Sequence, residues 1–232
     1  MENSYKFNNR RRLQYKMKRK KKLYIVGAGS FGRELESWLH FIPEEKRDWE
    51  FKGYLDSVQG KGKLPYPSDF EILGDEKTYP LKKEDYILIS IANSIVREKI
   101  YKSLKGKVTF FTFISPQAII GKFNYIDEGS IICPNVIITT NVKLGKCCIV
   151  NIGSQIGHDV KVGDFTSLMA NVDIAGKCVI GERCFIGTNS TLIPERIIAD
   201  DITIGAGAIV IRNFNKEKNT IFGNPAKNIY SR

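Results

Sequence analysis

From Val108 onward an aliphatic residue returns at every sixth position. The series is Val108, Ile114, Ile120, Ile126, Ile132, Ile138, Leu144, Val150, Ile156, Val162, Leu168, Ile174, Ile180, Ile186, Leu192, Ile198, Ile204 and Val210, eighteen in succession. Four residues after each comes a mostly small or β-branched residue, such as Ala118, Ser130, Val142, Cys148, Ser154, Thr166, Cys178, Cys184 or Ala208. Glycine often follows the aliphatic residue, as at Gly145, Gly157, Gly163 and Gly181. Neither the helical period of ~3.6 nor the strand period of ~2 produces a strict six. Stacked coils do: three hexads make one triangular turn, with the aliphatic residue inside, the small residue where walls converge, and glycine or polar residues at corners. The eighteen hexads predict about six coils. Asn124 and Arg196 depart from the small-residue rule and read as irregular corners or contacts. After Val210 the register stops; the polar run Asn213–Asn219 is expected to leave the solenoid, and residues 215–232 to form a capping tail.

The first half has a different rhythm. Leu23–Val26 reads as a buried strand, and Gly27-Ala28-Gly29-Ser30-Phe31-Gly32 follows it. Leu35, Trp38 and Leu39 then fall at helical spacing over Arg33–Phe41, with Pro43 just beyond. Trp49–Leu55 reads as a second strand ending at Asp56, residues 57–70 as a loop, and Tyr86–Ile91 as a third strand. Ser94 is expected to cap a helix running to about Leu104, closed by Lys105-Gly106-Lys107. Strand alternating with helix predicts a small α/β unit with a parallel sheet. The expected organisation is a basic, disordered extension (1–21), a Rossmann-like α/β half domain (22–107), a left-handed parallel β-helix (108–214) and the tail.

Composition narrows the function classes. Hydrophobic residues make up 42% of the 232 positions, enough for a packed core. No apolar run reaches the ~18 residues of a membrane span, and the basic N-terminus lacks the apolar stretch and cleavage site of a signal peptide. A cytoplasmic protein is expected. The net charge of +11 suggests nucleic acid until it is located: residues 1–22 hold ten Lys/Arg against one acid, Glu2. The charge therefore belongs to a tail able to touch RNA or an anionic membrane surface, not to a face of the folded body, and no nucleic-acid partner is expected. Met17, followed by Lys-Arg-Lys-Lys-Lys and a strand, also looks like an alternative start. Cys133, Cys147, Cys148, Cys178 and Cys184 are odd in number and form no CxxC pair, which argues against a disulfide framework and a zinc site.

Two features carry chemistry. His158, third in the hexad Ile156-Gly157-His158-Asp159-Val160-Lys161, falls at a corner facing outward. A carboxylate beside an imidazole orients it and suits a general base near neutral pH; an exposed surface histidine is the plain alternative. His40, at the end of a helix, lacks such a neighbour and reads as a surface or packing residue. The Gly27–Gly32 segment fits G-x-G-x-x-G between strand and helix, where a phosphate is favoured, with Asp56 available to a ribose hydroxyl or a base edge. A glycine turn that only packs helix on strand is the alternative. A full dinucleotide fold needs two such halves, so one half suits a mononucleotide or nucleotide-sugar better than NAD.

Val26–Gly32, Gly53-Tyr54-Leu55-Asp56, Asn151 with His158-Asp159, the hexads and the closing Gly223-Asn224-Pro225-Ala226-Lys227 together resemble the bacterial sugar O- and N-acetyltransferases with hexapeptide repeats, a group including UDP-4-amino-sugar N-acetyltransferases and sialic acid O-acetyltransferases. The resemblance covers about residues 22–230. It implies a nucleotide-sugar acceptor, a UDP-amino-sugar above all, bound through Gly29, Ser30, Phe31, Asp56, Ser57, Ala92, Asn93 and Asn151. It implies a homotrimer with acetyl-CoA as donor in the groove between subunits, contacted by Ser167, Gly176, Thr188, Ala206 and Lys227. His158 would be the general base, Asp159 its modulator, and the backbone at Gly176 an oxyanion site, with no metal. Ser30-Phe31 stands where some relatives carry a second glycine-histidine pair, and Ser167 stands at a position that can be histidine. Three rivals remain: O-acetylation of sialic acid or another sugar, a non-catalytic nucleotide-binding scaffold, and an NAD oxidoreductase. A zinc lyase on this fold needs three histidines, and the chain has two.

Overall fold

The computed structural model describes residues 20–231, so most of the expected basic extension lies outside the described residues. Lys21 and Lys22 are not part of a tail: they open strand β1 (Lys21–Val26), and Lys21 Nζ donates to the Tyr86 hydroxyl at 2.6 Å. Helix α1 (Ser30–Leu39) follows, then β2 (Trp49–Leu55), β3 (Gly62–Lys63), β4 (Glu71–Gly74), β5 (Tyr86–Ile89), α2 (Ser94–Leu104) and β6 (Thr109–Phe110). The sheet runs β3-β4-β2-β1-β5-β6, parallel except for the β3–β4 pair. Alternation along β1 sends Leu23 and Ile25 to the side of Leu35 and Leu39 of α1, and Tyr24 and Val26 to the side of Ile100 and Leu104 of α2.

Two expectations are corrected in this half. The α2 cap is Asn93, whose side chain accepts from the Val96 amide, whereas the Ser94 hydroxyl donates to the Arg183 carbonyl of the solenoid. Val108 is not the first solenoid residue. It is buried with Ile100, Leu104 and Phe110 in the α2-side core, because β6 still pairs with β5.

The solenoid begins at Phe113–Ile114 and ends its regular course at Ile209–Val210 in two-residue strands. The strands form three parallel sheets, in which each residue stacks on the one eighteen positions later: Ile131 on Ile149, Ile149 on Ser167, Ser167 on Phe185. At ~4.8 Å per coil the aliphatic column from Ile138 through Ile156, Ile174 and Leu192 to Val210 is continuous and buried. From Phe123 on, the fourth residue of each hexad as far as Gly207 takes a left-handed backbone; Asn135, Asn141, Asp159, Asn171, Asn189 and Asp201 all have φ between 55° and 61°. Asn and Asp tolerate that conformation best among side-chain-bearing residues, which explains their recurrence there. The irregular residues are built in: Asn124 bonds the Gly121 and Thr139 carbonyls and the Val142 amide, and Arg196 bonds the Pro194 and Ile211 carbonyls.

The tail does not simply leave. Phe214 bridges to Ile198, and Asn219–Phe222 adds a parallel strand with Ile221 paired to Ile204. The last coil is therefore shortened rather than abandoned. Strand Lys227–Ser231 then runs antiparallel along it and closes the stack.

Arg97 is the centre of the junction between the two halves. Arg97 of α2 is 0% exposed and donates to the carbonyls of Cys147 and Phe165 and the Ser167 hydroxyl in the solenoid, and to those of Ile91 and Ala92 after β5. No carboxylate pairs with it among the described residues, and burial pulls its pKa down to about 10. All five cysteines are free and buried; burial pushes the thiols of Cys148 and Cys184 up to about 12, so they are packing residues.

The central column gives a stability test. Ile174→Ala should cost about 2–5 kcal/mol in denaturant unfolding, because rigid coils on both sides keep the cavity open. A loss under about 1 kcal/mol would show that the stack can collapse around the gap.

Candidate active site

The ends of the parallel strands make the first part of the site. After β1 the chain moves through α1 to β2 on one side, and later returns to β5 on the other, so a crevice opens between the carboxyl ends of β1 and β5. A cavity of about 520 Å³ lies there. The backbone explains the glycines: Gly27 has φ +103°, and a Cβ on Gly32 would lie 2.2 Å from the Gly27 carbonyl oxygen. Nothing lies within 4 Å of where a Gly29 Cβ would be, so that turn faces open space. Gly29, Ser30, Phe31, Asp56 and Ser57, five of the residues expected to bind the acceptor, all line this cavity.

Asp56 has another duty there. Its carboxylate accepts from the Ala28, Val58 and Gln59 amides, each at 2.9 Å, and from the Gln59 side chain. With both oxygens engaged, it ties the two turns of the pocket wall together while still lining the cavity. Ser57 is held in turn by the buried Glu76, which accepts from its amide and its hydroxyl at 3.0 Å. Ala92, Asn93 and Asn151 do not line the cavity. The Ala92 carbonyl accepts from Arg97 and Ser167, Asn93 caps α2, and Asn151 sits on a solenoid corner with its side chain on the Ile152 amide. Sequence reasoning missed Lys77 and Lys99, which line the same cavity and form no ion pair among the described residues.

The second part is a solenoid corner. His158 Nδ1 lies 2.8 Å from Asp159 Oδ2, which leaves Nε2 free, and the imidazole is half exposed. Asp159 Oδ1 accepts from Asn141 Nδ2 at 2.6 Å, from the coil before. These two hydrogen bonds, His158 first, hold the Asp159 carboxyl below its ordinary pKa. Gly176 lies on the coil after. A Cβ there would come 2.5 Å from His158 Nε2, so only glycine lets the ring lie flat against that backbone. The Lys177 amide donates to the His158 carbonyl, whereas the Gly176 amide donates to no protein group among the described residues. The corner thus sets a fixed imidazole beside a free N–H.

Thr188 and Ala206 are exposed on consecutive coils at the neighbouring corner, and their amides also have no acceptor among the described residues. Lys227 is exposed at the start of the closing strand. Ser167 departs from expectation. It is fully buried between Arg97 and the Ala92 carbonyl, so it joins the two halves and offers no surface to a coenzyme. No group of His, Cys, Asp and Glu able to hold a metal occurs among the described residues, and no described helix is long and apolar enough to cross a membrane.

Known families match both halves of the chain. The family described as PglD N-terminal domain matches residues 22–104, and bacterial transferase hexapeptide (six repeats) matches residues 153–194. The chain is 30% identical over 216 residues to a GDP-perosamine N-acetyltransferase of Escherichia coli O157:H7, covering 88% of this chain and 94% of that one. Its fold matches that of PerB from Caulobacter crescentus, crystallised with CoA and GDP-perosamine, at TM-score 0.79 and 22% identity over 90% of this chain and 97% of that one. The acetyltransferase domain of PglB from Neisseria gonorrhoeae matches with TM-score 0.79 and 23% identity over 90% of this chain and all of that one. With both halves matched and a relative at 30% identity over nearly its whole length, the chain belongs to the hexapeptide-repeat sugar acetyltransferases with a PglD-type N-terminal domain.

Proposed function

We propose that the protein transfers the acetyl group of acetyl-CoA to the amine of a nucleotide-linked amino sugar, for surface glycan synthesis. The observation that carries this is the His158–Asp159 pair with Nε2 free beside the unpartnered Gly176 amide. The amine attacks the thioester carbonyl carbon while His158 Nε2 removes its proton. The oxyanion formed is held by the Gly176 N–H. Its collapse restores the carbonyl, breaks the C–S bond, and passes the proton from the imidazolium to the departing thiolate. The products are the N-acetyl sugar and CoA. Base assistance of this kind supplies about 10²–10⁴-fold. The relative of E. coli acts at an amine, which favours N- over O-acetylation here.

The acceptor's diphosphate would lie in the crevice between the Gly29–Ser30 turn and Lys77 and Lys99. The donor would lie along the solenoid, with backbone contacts at Gly176, Thr188 and Ala206 and with Lys227 near its far end. This reading calls for a homotrimer. The α/β half packs on the corner of Cys147 and Phe165, whereas His158 lies on a different corner, so a second copy would bring the base and the acceptor together. Ile119, Phe123 and Tyr125, at 64%, 84% and 59% exposure, are apolar residues such an association would cover. Acetyl-CoA use and five free thiols favour the cytoplasm.

The activity is tested by following acetyl-CoA consumption with GDP- and UDP-linked amino sugars and identifying the product by mass; CoA release without an N-acetyl product would overturn it. Replacing Lys77 and Lys99 together by Ala should raise KM for the nucleotide-sugar about 10-fold or more and leave KM for acetyl-CoA unchanged, as expected for loss of charged contacts to phosphate. Gly176→Ala should lower kcat at least about 10-fold by displacing the imidazole, with nucleotide-sugar binding intact by calorimetry.

A further inference from the structure

The corner that carries His158 is one rung of a column of left-handed residues: Asn141, Asp159, Lys177 and Glu195, with φ of 56°, 61°, 61° and 67°. Each side chain leaves the solenoid at the same place, one coil apart, so vertical neighbours can reach each other. Asp159 therefore has a partner below and a competitor above. Below, Asn141 Nδ2 donates to Oδ1 at 2.6 Å. Above, the Lys177 ammonium acts on the same carboxylate by its charge, while its Nζ lies 3.5 Å from Glu195 Oε1.

We infer that Asn141 is a positioning residue for the acetyl transfer: it pins the Asp159 carboxylate downward so that Oδ2 stays on His158 Nδ1 and not on Lys177. The inference rests on the reading of His158 as the base. A carboxylate has two oxygens and free rotation about its last bond, and Asp159 is exposed enough for water to ease that rotation. One hydrogen bond to the imidazole does not fix it when a cation stands one coil away. A second bond, from a neutral donor on the opposite side, does, and it adds no charge to compete with the imidazole. Glu195 assists by engaging Lys177 from the far side. The imidazole is thereby set from two directions: its tautomer by Asp159, with Nδ1 donating, and its plane by the Gly176 backbone.

The test is a set of variants in the purified, assembled protein. Asn141→Ala should lower kcat about 10-fold, the loss expected for one hydrogen bond to a charged group, with KM for both substrates within twofold. Lys177→Met alone should change little. In the Asn141→Ala background Lys177→Met should recover about threefold in kcat, because the competitor is gone, and Glu195→Ala should lower it further, because the competitor is released. A purely structural role for Asn141 would not respond to Lys177. Nitrogen NMR of the His158 ring should show one dominant tautomer in the parent and a mixture in Asn141→Ala. A kcat for Asn141→Ala within twofold of the parent, a loss carried by KM, or no recovery on removing Lys177 would each overturn the inference. His158→Ala is measured alongside. If it is inactive and Asn141→Ala is fully active, only the role of Asn141 falls; if it retains full activity, the base assignment and this inference fall together.

Discussion

Stacking at an interval of eighteen residues is the constraint on which the rest of this structure depends. Each side chain of the solenoid must be compatible with the ones directly above and below it, since parallel coils leave no room to slide. Inside, this yields aliphatic columns. At the corners it yields columns of left-handed residues, where Asn and Asp are the cheapest side chains. The candidate active site is one such corner put to use. His158 takes its orientation from Asp159 beside it, Asn141 one coil before and Gly176 one coil after. Chemistry and architecture share the same register.

The crevice of the α/β half obeys a different rule, that of parallel sheets whose strand order turns at β1. Its walls are fixed from within: Asp56 and Glu76 hold backbone amides and Ser57, and Lys77 and Lys99 line the same cavity. Arg97 then fixes that pocket to the solenoid. A guanidinium presents several donors in one plane, and here they meet carbonyls of both halves at once. Leaving such a charge without a carboxylate is costly. It is tolerated where one group can satisfy acceptors that two packed surfaces would otherwise strand, and Ser167 is buried in the same junction.

Much of this was legible in the sequence, for reasons that differ by element. The six-residue period was visible because nothing else repeats at six, and the period alone places His158 on a corner. The strand–glycine–helix order gave the pocket. The limits were equally physical. Val108 fits the period by coincidence, since the bend leading into β6 packs under α2 and also wants an aliphatic residue. The closing strand at Ile221 was hidden by a shortened coil that breaks the period. Lys77 follows a short strand, Glu71–Gly74, that periodicity did not reveal, and Arg97 looks like any helix-surface arginine until the solenoid covers it. Asn141 was recoverable in principle, because it stands eighteen residues before Asp159 and shares its place in the hexad.

The central claim is that the imidazole at this corner moves the proton during acetyl transfer. Its most direct test is the rate at saturating acetyl-CoA and nucleotide amino sugar for His158→Ala, measured beside the parent protein with thermal midpoint and acetyl-CoA binding as controls. The account predicts a kcat lower by about 10²–10⁴-fold with both controls unchanged. A kcat within twofold of the parent would contradict it.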